Sequence, residues 1–322
     1  MEWKPYYAAE LCRAGCRERI VNWLQAAGEN DKRLAMIGKR TVLSFPHTAV
    51  DYSGQLQARV AAWLVQNGFR RVITLGVVHG SLNPVYRMAA DDALPYARRL
   101  ASIVQVTGAF TPTAESLETP FGSLAVGRLS AAAPWGVRPD ISGLLNNEFS
   151  LDTFHAILRL ATDVFQVSPL SVFPVYVGML RHPISGSFEA AATLASWLRN
   201  QWDDSTAIVT TGDVVHYGDV YGSNAEGPAF NHLGAHFRQR LDDLHATAFV
   251  ERDLETAYQM SVQELKSDHR EILPLIVRLL GEDARAELLT FELSDYAAIL
   301  DTVTPCLVAS ALIAYKTGTS RV

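Results

Sequence analysis

The sequence predicts an α/β fold, in which a mostly parallel central sheet carries helices on both faces. Short apolar segments rich in β-branched residues alternate with segments whose apolar residues recur at helical spacing. The apolar segments are nearly continuous, which is typical of strands buried on both faces of a parallel sheet. No linker, repeat or low-complexity tract divides the chain, so we expect residues 1–322 to form a single domain.

Strands and helices are predicted in alternating order along the chain. The segments with strand character are "RTVLSF" (40–45), "RRVITLGVV" (70–78), "LSVFPVYVGM" (170–179), "TAIVTTG" (206–212) and "AELLTFEL" (286–293). The segments with helical periodicity are "GQLQARVAAWLVQNG" (54–68), "SLDTFHAILRLATDVFQ" (150–166) and "SFEAAATLASWLRNQW" (187–202).

The composition limits the kinds of partner. Hydrophobic residues make up 48% of the chain and charged residues 19%, which is enough to bury one large core. The formal net charge is -6 and no basic block is present, so we expect no nucleic acid as a partner. The longest apolar run is too short to span a bilayer, and the first residues lack the apolar segment of a signal peptide. Three cysteines (Cys12, Cys16 and Cys306) are too few for a disulfide framework, so we expect a cytoplasmic protein. The sequence leaves the oligomeric state open.

Histidines follow three of the predicted strands, close to the point where each strand ends. His47 follows the first strand, His79 the second, and Asp213 with His216 the fourth. Because the carboxyl ends of parallel strands meet at one edge of a sheet, we expect these side chains to converge there. Imidazoles that converge suit iron, zinc or copper, and two imidazoles with one anionic ligand are typical of non-haem iron oxygenases.

Six motifs resemble those of a known family, and they occur in the family's order. They are "PHTAVDYSG", "ITLGVVHG", "ETPFGSLAVG", "NNEFSLDT", "FPVYVG" and "TTGDVVHYG". In this respect the chain resembles the Memo family, which is similar to the class III extradiol ring-cleaving dioxygenases. The resemblance implies a dioxygenase-like fold and a metal-dependent oxidoreductase that uses O₂ on a small molecule. Fe(II) is the expected metal, with copper or zinc as alternatives. Two other functions remain open: a metal-binding protein with a signalling or redox role and no turnover, and a metal-dependent hydrolase or lyase.

The resemblance also assigns site residues. His47 and His79 are the expected metal imidazoles, and Asp213 and His216 correspond to the family's polar pair beside the metal. The chain departs from the family motifs where it has Gly80 and Phe149 in place of histidines. The final apolar run, "CLVASALIAY", resembles the family's last helix.

The third metal ligand is the least certain part of the resemblance. Ser267 takes the place of a cysteine in the family motif, whereas "HREILPLIV" resembles a dioxygenase motif whose glutamate binds iron. We therefore expect Glu271 to be the anionic ligand, with His269 or Asp268 as alternatives. The same residues can also be read as an ordinary charged first turn of a helix.

The remaining residues receive roles from the expected chemistry. A histidine beside a carboxylate can transfer protons near neutral pH, so we expect His216 to take the substrate proton and Asp213 to orient or charge His216. Glu148, Tyr217 and Tyr221 are expected to contact the substrate. The alternative is that Asp213 caps a turn and that His216 bonds to a backbone carbonyl.

Overall fold

A computed structural model of the chain describes residues 2–79, 82–127, 137–223 and 230–317. The α-helices are α1 Trp3–Leu11, α2 Cys16–Asn30, α3 Lys32–Ala35, α4 Val50–Gln66, α5 Leu82–Ala90, α6 Tyr96–Val106, α7 Asp152–Val164, α8 Glu189–Gln201, α9 Phe230–Ala246, α10 Leu254–Gln259, α11 His269–Leu280 and α12 Ala297–Leu300. The strands are β1 Thr41–Phe45, β2 Arg71–Val77, β3 Ala109–Thr111, β4 Ser116–Thr119, β5 Gly122–Ala125, β6 Val137–Pro139, β7 Ser171–Val177, β8 Thr206–Thr211, β9 Val215–Tyr217, β10 Ala284–Asp295 and β11 Leu307–Thr317. No helix in these described ranges is long and apolar enough to cross a membrane.

The α/β class is confirmed, but the sheet is mixed rather than mostly parallel. Among the described residues, nine strands form one sheet in the order β10-β11-β1-β8-β2-β7-β3-β6, with β9 paired to β11. The strands β1, β8, β2 and β7 run parallel, and all four were predicted from the sequence. Antiparallel pairing begins on both sides of this group, where β11 joins β1 and where β3 joins β7.

The prediction of a last helix was wrong. Residues 307–317 form β11, which lies between β10 and β1 and pairs antiparallel with both. Residues 307–315 are all buried, as expected for an inner strand with side chains packed on each face. A continuous apolar run has no periodicity that separates a buried strand from a buried helix, and this explains the error.

The sheet separates two hydrophobic cores because successive strand residues point to opposite faces. Val42 and Ile208 pack on one side with residues of α8, α9 and α11. Leu43 and Val209 pack on the other side with residues of α2, α4 and α7. This arrangement fixes the sheet between two helical layers and holds the strand ends at defined positions.

Candidate metal centre

The two predicted metal histidines meet at the carboxyl ends of the parallel strands. In the sheet, β8 lies between β1 and β2 and is parallel to both. His47 follows β1 by two residues and His79 follows β2 by two residues. Their Nε2 atoms are 3.0 Å apart, and the His47 side chain is buried. The structure therefore brings these side chains together, as the strand order requires.

The tautomer of His47 is fixed by a threonine on β8. The Thr211 hydroxyl donates to the carbonyl of Phe45 at 2.9 Å, so its oxygen is free to accept a hydrogen bond. His47 Nδ1 lies 3.1 Å from that oxygen and therefore carries the hydrogen. The Nε2 lone pair of His47 then points toward His79 and the acidic residues nearby.

His79 is held by the buried carboxylate of Glu148. His79 Nδ1 lies 3.0 Å from Glu148 Oε1, and the backbone N–H of His79 donates to Glu148 Oε2 at 2.7 Å. Burial alone would lower the pKa of His79, but Glu148 and Asp268 together raise it to about 10. The same contact lowers the pKa of Glu148 to about 2 against the opposing effect of burial. Without a metal, His79 is therefore an imidazolium between two carboxylates.

His216 lies on β9 and faces the same point from a third direction. Its Nδ1 donates to the carbonyl of Lys266 at 2.8 Å, which leaves Nε2 free. Its backbone N–H donates to the carbonyl of Leu265 at 2.9 Å, and its backbone pairs with Val308 of β11. The alternative reading of His216, a bond to a backbone carbonyl, is thus present, and it leaves the other ring nitrogen available for chemistry.

Asp268 is the acidic residue around which these nitrogens gather. Its Oδ2 atom lies 3.4 Å from His47 Nε2, 3.8 Å from His79 Nε2 and 3.9 Å from His216 Nε2. Its backbone N–H donates to the carbonyl of Asp213 at 3.0 Å, so it belongs to a segment anchored to the end of β8. Burial would raise the pKa of Asp268, but the surrounding histidines hold it well below its usual value.

A glycine permits this close approach of α11 to β8. A Cβ atom at Gly212 would lie 2.4 Å from Cδ2 of His269, which follows Asp268 directly. No real side chain tolerates this distance, so only glycine lets the two elements touch here. Gly212 therefore sets how near Asp268 can come to Asp213.

Asp213 completes the cluster as a second carboxylate. One of its oxygens accepts the backbone N–H of His47 at 3.3 Å, and the other lies 3.8 Å from His47 Nε2. Burial and the nearby charge of Asp268 raise the pKa of Asp213 well above its usual value. The carbonyl of Lys266 orients the His216 ring, and Asp213 lies with His216 and Asp268 in one group of possible metal ligands.

The donor atoms fit one divalent ion. Two groups, His47 with His79 and Asp268, and Asp213 with His216 and Asp268, each have their ligand atoms within 4.8 Å of one another. Two nitrogens bound at right angles to an ion about 2.1 Å away would be about 3.0 Å apart. This matches the separation of the His47 and His79 nitrogens, 3.0 Å. Each of the three rings also has its Nδ1–H held by an oxygen acceptor, as metal-binding histidines almost always do.

The structure does not bring the expected third ligand, Glu271, to the histidines. Its carboxylate accepts the N–H groups of Leu180 at 2.7 Å and Arg181 at 3.2 Å and the hydroxyls of Tyr86 and Tyr258. These four donors occupy its oxygens, and it belongs to neither of the two groups of possible metal ligands.

The other expected alternative, His269, also lies apart from the two metal-fitting groups. Its Nε2 lies 2.9 Å from the Ser44 hydroxyl and its Nδ1 3.3 Å from that of Tyr315. Asp268 alone among the three candidates points to the cluster. It precedes α11, where the chain direction is set by the turn rather than by helical spacing.

The cluster lies at one end of a cavity of about 460 Å³. Tyr221 lines this cavity, as expected for a substrate contact, and its ring centroid is 4.8 Å from that of His216. Tyr217 instead packs against Phe237 in the core, because neighbouring residues of β9 point to opposite faces. Glu148 lies behind His79 rather than at the cavity wall.

Several lining residues were not expected from the sequence. Besides the polar cluster, the cavity wall includes Trp3, Tyr7, Tyr296, Lys266 and Arg270. Lys266 and Arg270 flank the candidate ligand Asp268 in the sequence, but no role was expected for either. The aromatic residues come from distant parts of the chain, and nothing in their local sequence marks them.

Comparison with models of known protein families gives no match for this chain. A search of curated proteins also finds no significant match.

Proposed function

We propose that the protein is a non-haem metal-dependent oxidoreductase that uses O₂ on a small-molecule substrate. Fe(II) would be held by His47, His79 and Asp268, a set of two imidazoles and one carboxylate with room for further ligands. The observation that carries the proposal is the convergence of three Nε2 atoms on Asp268 while every Nδ1–H is held by an oxygen. Imidazole and carboxylate donors without a thiolate favour iron or zinc over Cu(I).

We also infer that the chain is a divergent relative of the Memo family, with the fold of the extradiol dioxygenases. The six ordered motifs support this inference, and so does the position of the two histidines after the parallel strands on either side of β8. The departures from the motifs are part of the same proposal. Phe149 stands in place of a family histidine and stacks on His79, with ring centroids 4.5 Å apart and planes at 16°.

When bound, Fe(II) supplies a Lewis acid and one-electron chemistry with O₂. The chain's own groups bind the substrate and move its proton. His216 Nε2 faces the cavity while its Nδ1–H is fixed on the carbonyl of Lys266, so this ring can take a proton from a substrate hydroxyl at Nε2. The cavity volume, about 460 Å³, suits a small molecule rather than a polymer.

The first test measures metal binding by the purified chain under anaerobic conditions. We expect one Fe(II) per chain, and we expect His47→Ala, His79→Ala and Asp268→Ala to lose it. Glu271→Gln is the matched control, since it lies on the same helix region but outside the cluster. Full metal content in Asp268→Ala, or its loss in Glu271→Gln, would contradict the assignment of the third ligand.

The second test measures O₂ uptake by the iron-loaded chain against a panel of small molecules. His216→Gln should retain iron and lose turnover, because it removes the proton acceptor but not a proposed ligand. Iron binding without uptake for any compound would favour a metal-binding protein with a signalling or redox role. Retention of zinc with hydrolysis or elimination would favour the hydrolase or lyase.

A further inference from the structure

We propose that Arg270, assisted by Lys266, binds the carboxylate of a small planar organic acid in the cavity. The inference deepens the proposed function and rests on it only for the reaction that follows binding. The binding site lies at the cavity wall and is formed by side chains outside the metal cluster.

Arg270 is a half-buried cation near the carboxylates of Glu271 and Asp268, which raise its pKa, but it is ion-paired with neither. It lines both the main cavity and a smaller one of about 150 Å³. Within the described parts of the chain it makes no ion pair or hydrogen bond, and its guanidinium carbon lies 5.7 Å from the ring centroid of Tyr86. The nearest acidic residue in sequence on α11, Glu271, is occupied by two backbone N–H groups and two tyrosines. The five guanidinium N–H donors are therefore free for an acceptor from outside the chain.

Other half-buried arginines of this protein have either acidic partners or, like Arg138 and Arg252, backbone carbonyls as acceptors. Arg59 pairs with Asp31 at 2.6 Å, and Arg181 pairs with Glu255 at 2.6 Å. Burying an unpaired charge costs free energy, and such groups are normally paired. Arg270 at the cavity wall is therefore suited to bind a carboxylate ligand, because a guanidinium and a carboxylate form two parallel hydrogen bonds.

Lys266 supplies a second cation at the same wall. It lines the main cavity and forms no ion pair among the residues that the structure describes. Its backbone is in the left-handed region at φ 52°, which is costly for a residue other than glycine. The hydrogen bond from His216 to its carbonyl maintains this conformation. Strain of this kind is concentrated at ligand-binding positions.

The charge of the cavity favours an anion. Lys266 and Arg270 place two positive charges on the cavity wall, and neither forms an ion pair among the residues that the structure describes. These charges would attract a carboxylate from solution and stabilise it once bound.

The apolar wall indicates the shape of the rest of the molecule. Trp3, Tyr7 and Phe149 line the cavity, and Trp3 stacks on Tyr7 with ring centroids 5.6 Å apart. Phe149 stacks on His79 and so presents a flat surface beside the cluster. A planar ring would pack on these faces better than a bulky aliphatic group. The structure thus favours a flat molecule with one carboxylate over a neutral or cationic one.

The test measures binding of benzoate and of benzamide, its neutral counterpart, by calorimetry. Measurements use the full chain both without metal and loaded with Zn²⁺, so that no turnover is needed. We expect benzoate to bind more tightly than benzamide in both forms. Arg270→Gln should weaken benzoate binding by about 10- to 100-fold and leave benzamide unchanged, as expected for loss of a charge-assisted hydrogen bond. Arg270→Lys should restore part of the affinity.

Arg278→Gln is the matched control, because Arg278 lies on the same helix but is exposed. It should leave benzoate binding unchanged. Arg270→Gln should not lower thermal stability, since it removes an unpaired charge, and a marked loss of stability would indicate a structural role instead. Benzoate binding that requires Zn²⁺ and is unaffected by Arg270→Gln would place the carboxylate on the ion and overturn the inference. Absence of benzoate binding to the unaltered chain would also overturn it.

These outcomes are separate from those of the proposed function. Arg270-dependent binding of benzoate without any O₂ chemistry would leave the anion site standing and reject the oxidoreductase. Turnover of an acidic substrate with a KM unaffected by Arg270→Gln would support the oxidoreductase and reject the anion site.

Discussion

Binding of a metal to the free chain should expel one proton from His79, and Glu148→Gln should abolish this release. Without a metal, Glu148 and Asp268 overcome the effect of burial and raise the pKa of His79 to about 10. A metal needs the neutral ring, so it must displace that proton. In Glu148→Gln the carboxylate is gone, burial dominates, and we expect the ring to be neutral at pH 7.

The magnitudes decide what should be measured. Three pH units between pH 7 and the pKa of His79, about 10, correspond to about 4 kcal/mol of competition by the proton. Loss of the carboxylate that orients His79 weakens metal binding by about 10- to 100-fold, or about 1.4 to 2.8 kcal/mol. The two effects oppose each other near pH 7, so the affinity at a single pH is a poor test. The number of protons released is the better one.

The assay is titration calorimetry with Zn²⁺ between pH 6.5 and 8, repeated in buffers of different ionisation enthalpy. We expect the unaltered chain to release one proton more than Glu148→Gln, and its affinity to rise more steeply with pH. Asp140→Asn is the control, because Asp140 also accepts backbone N–H groups in a loop but lies away from the cluster. Equal proton release in the unaltered chain and Glu148→Gln would refute the assigned protonation of His79.

Three further predictions concern stability. Burial lowers the pKa of His155 to about 3, below the unfolded value of about 6.5, so its contribution to stability is present above pH 6.5 and is lost as the pH falls. Chemical denaturation should therefore show that, between pH 7 and pH 5, the free energy of unfolding falls by about 2 kcal/mol less in His155→Gln than in the unaltered chain. The exposed His236→Gln should match the unaltered chain. Equal decreases in all three proteins would contradict this prediction. Glu10→Ala should cost about 1 to 2 kcal/mol, because the Glu10 carboxylate accepts two backbone N–H groups at the start of α4; an unchanged melting temperature would show that water replaces it. Gly212→Ala should cost about 1 to 3 kcal/mol and weaken Zn²⁺ binding, since its Cβ would lie 2.4 Å from His269; metal affinity equal to that of the unaltered chain would show that Asp268 does not depend on this contact.

The parallel centre of the fold was predictable because its strands are short, β-branched and nearly continuous in apolar character. The antiparallel edges were not, because strand direction depends on pairing partners distant in sequence. Residues 307–315 are the clearest example of what sequence cannot predict. They are all buried, and a continuous apolar run has the same pattern in a buried helix as in a buried strand.

The site was predictable to the extent that strand order alone positions its residues. His47 and His79 follow parallel strands that both flank β8, so their meeting required only the sheet. The third metal ligand could not be predicted in this way, because Asp268 lies in the turn before α11 and Glu271 follows it by only a few residues, inside the helix. Arg270 was overlooked because the absence of a partner cannot be read from a sequence.

The pairing of β9 with β11 has a consequence for biosynthesis. His216 lies opposite Val308 in this pairing, and β11 also lies between β1 and β10 in the sheet. All the residues of the cluster are therefore synthesised before β11, the strand that pairs with β9 and β1. Until β11 emerges, β1 has an open edge and β9 lacks its partner strand, so the nascent chain should neither retain metal nor resist proteases. Capture of iron would then be a late event, coupled to completion of the sheet rather than to the appearance of the ligands.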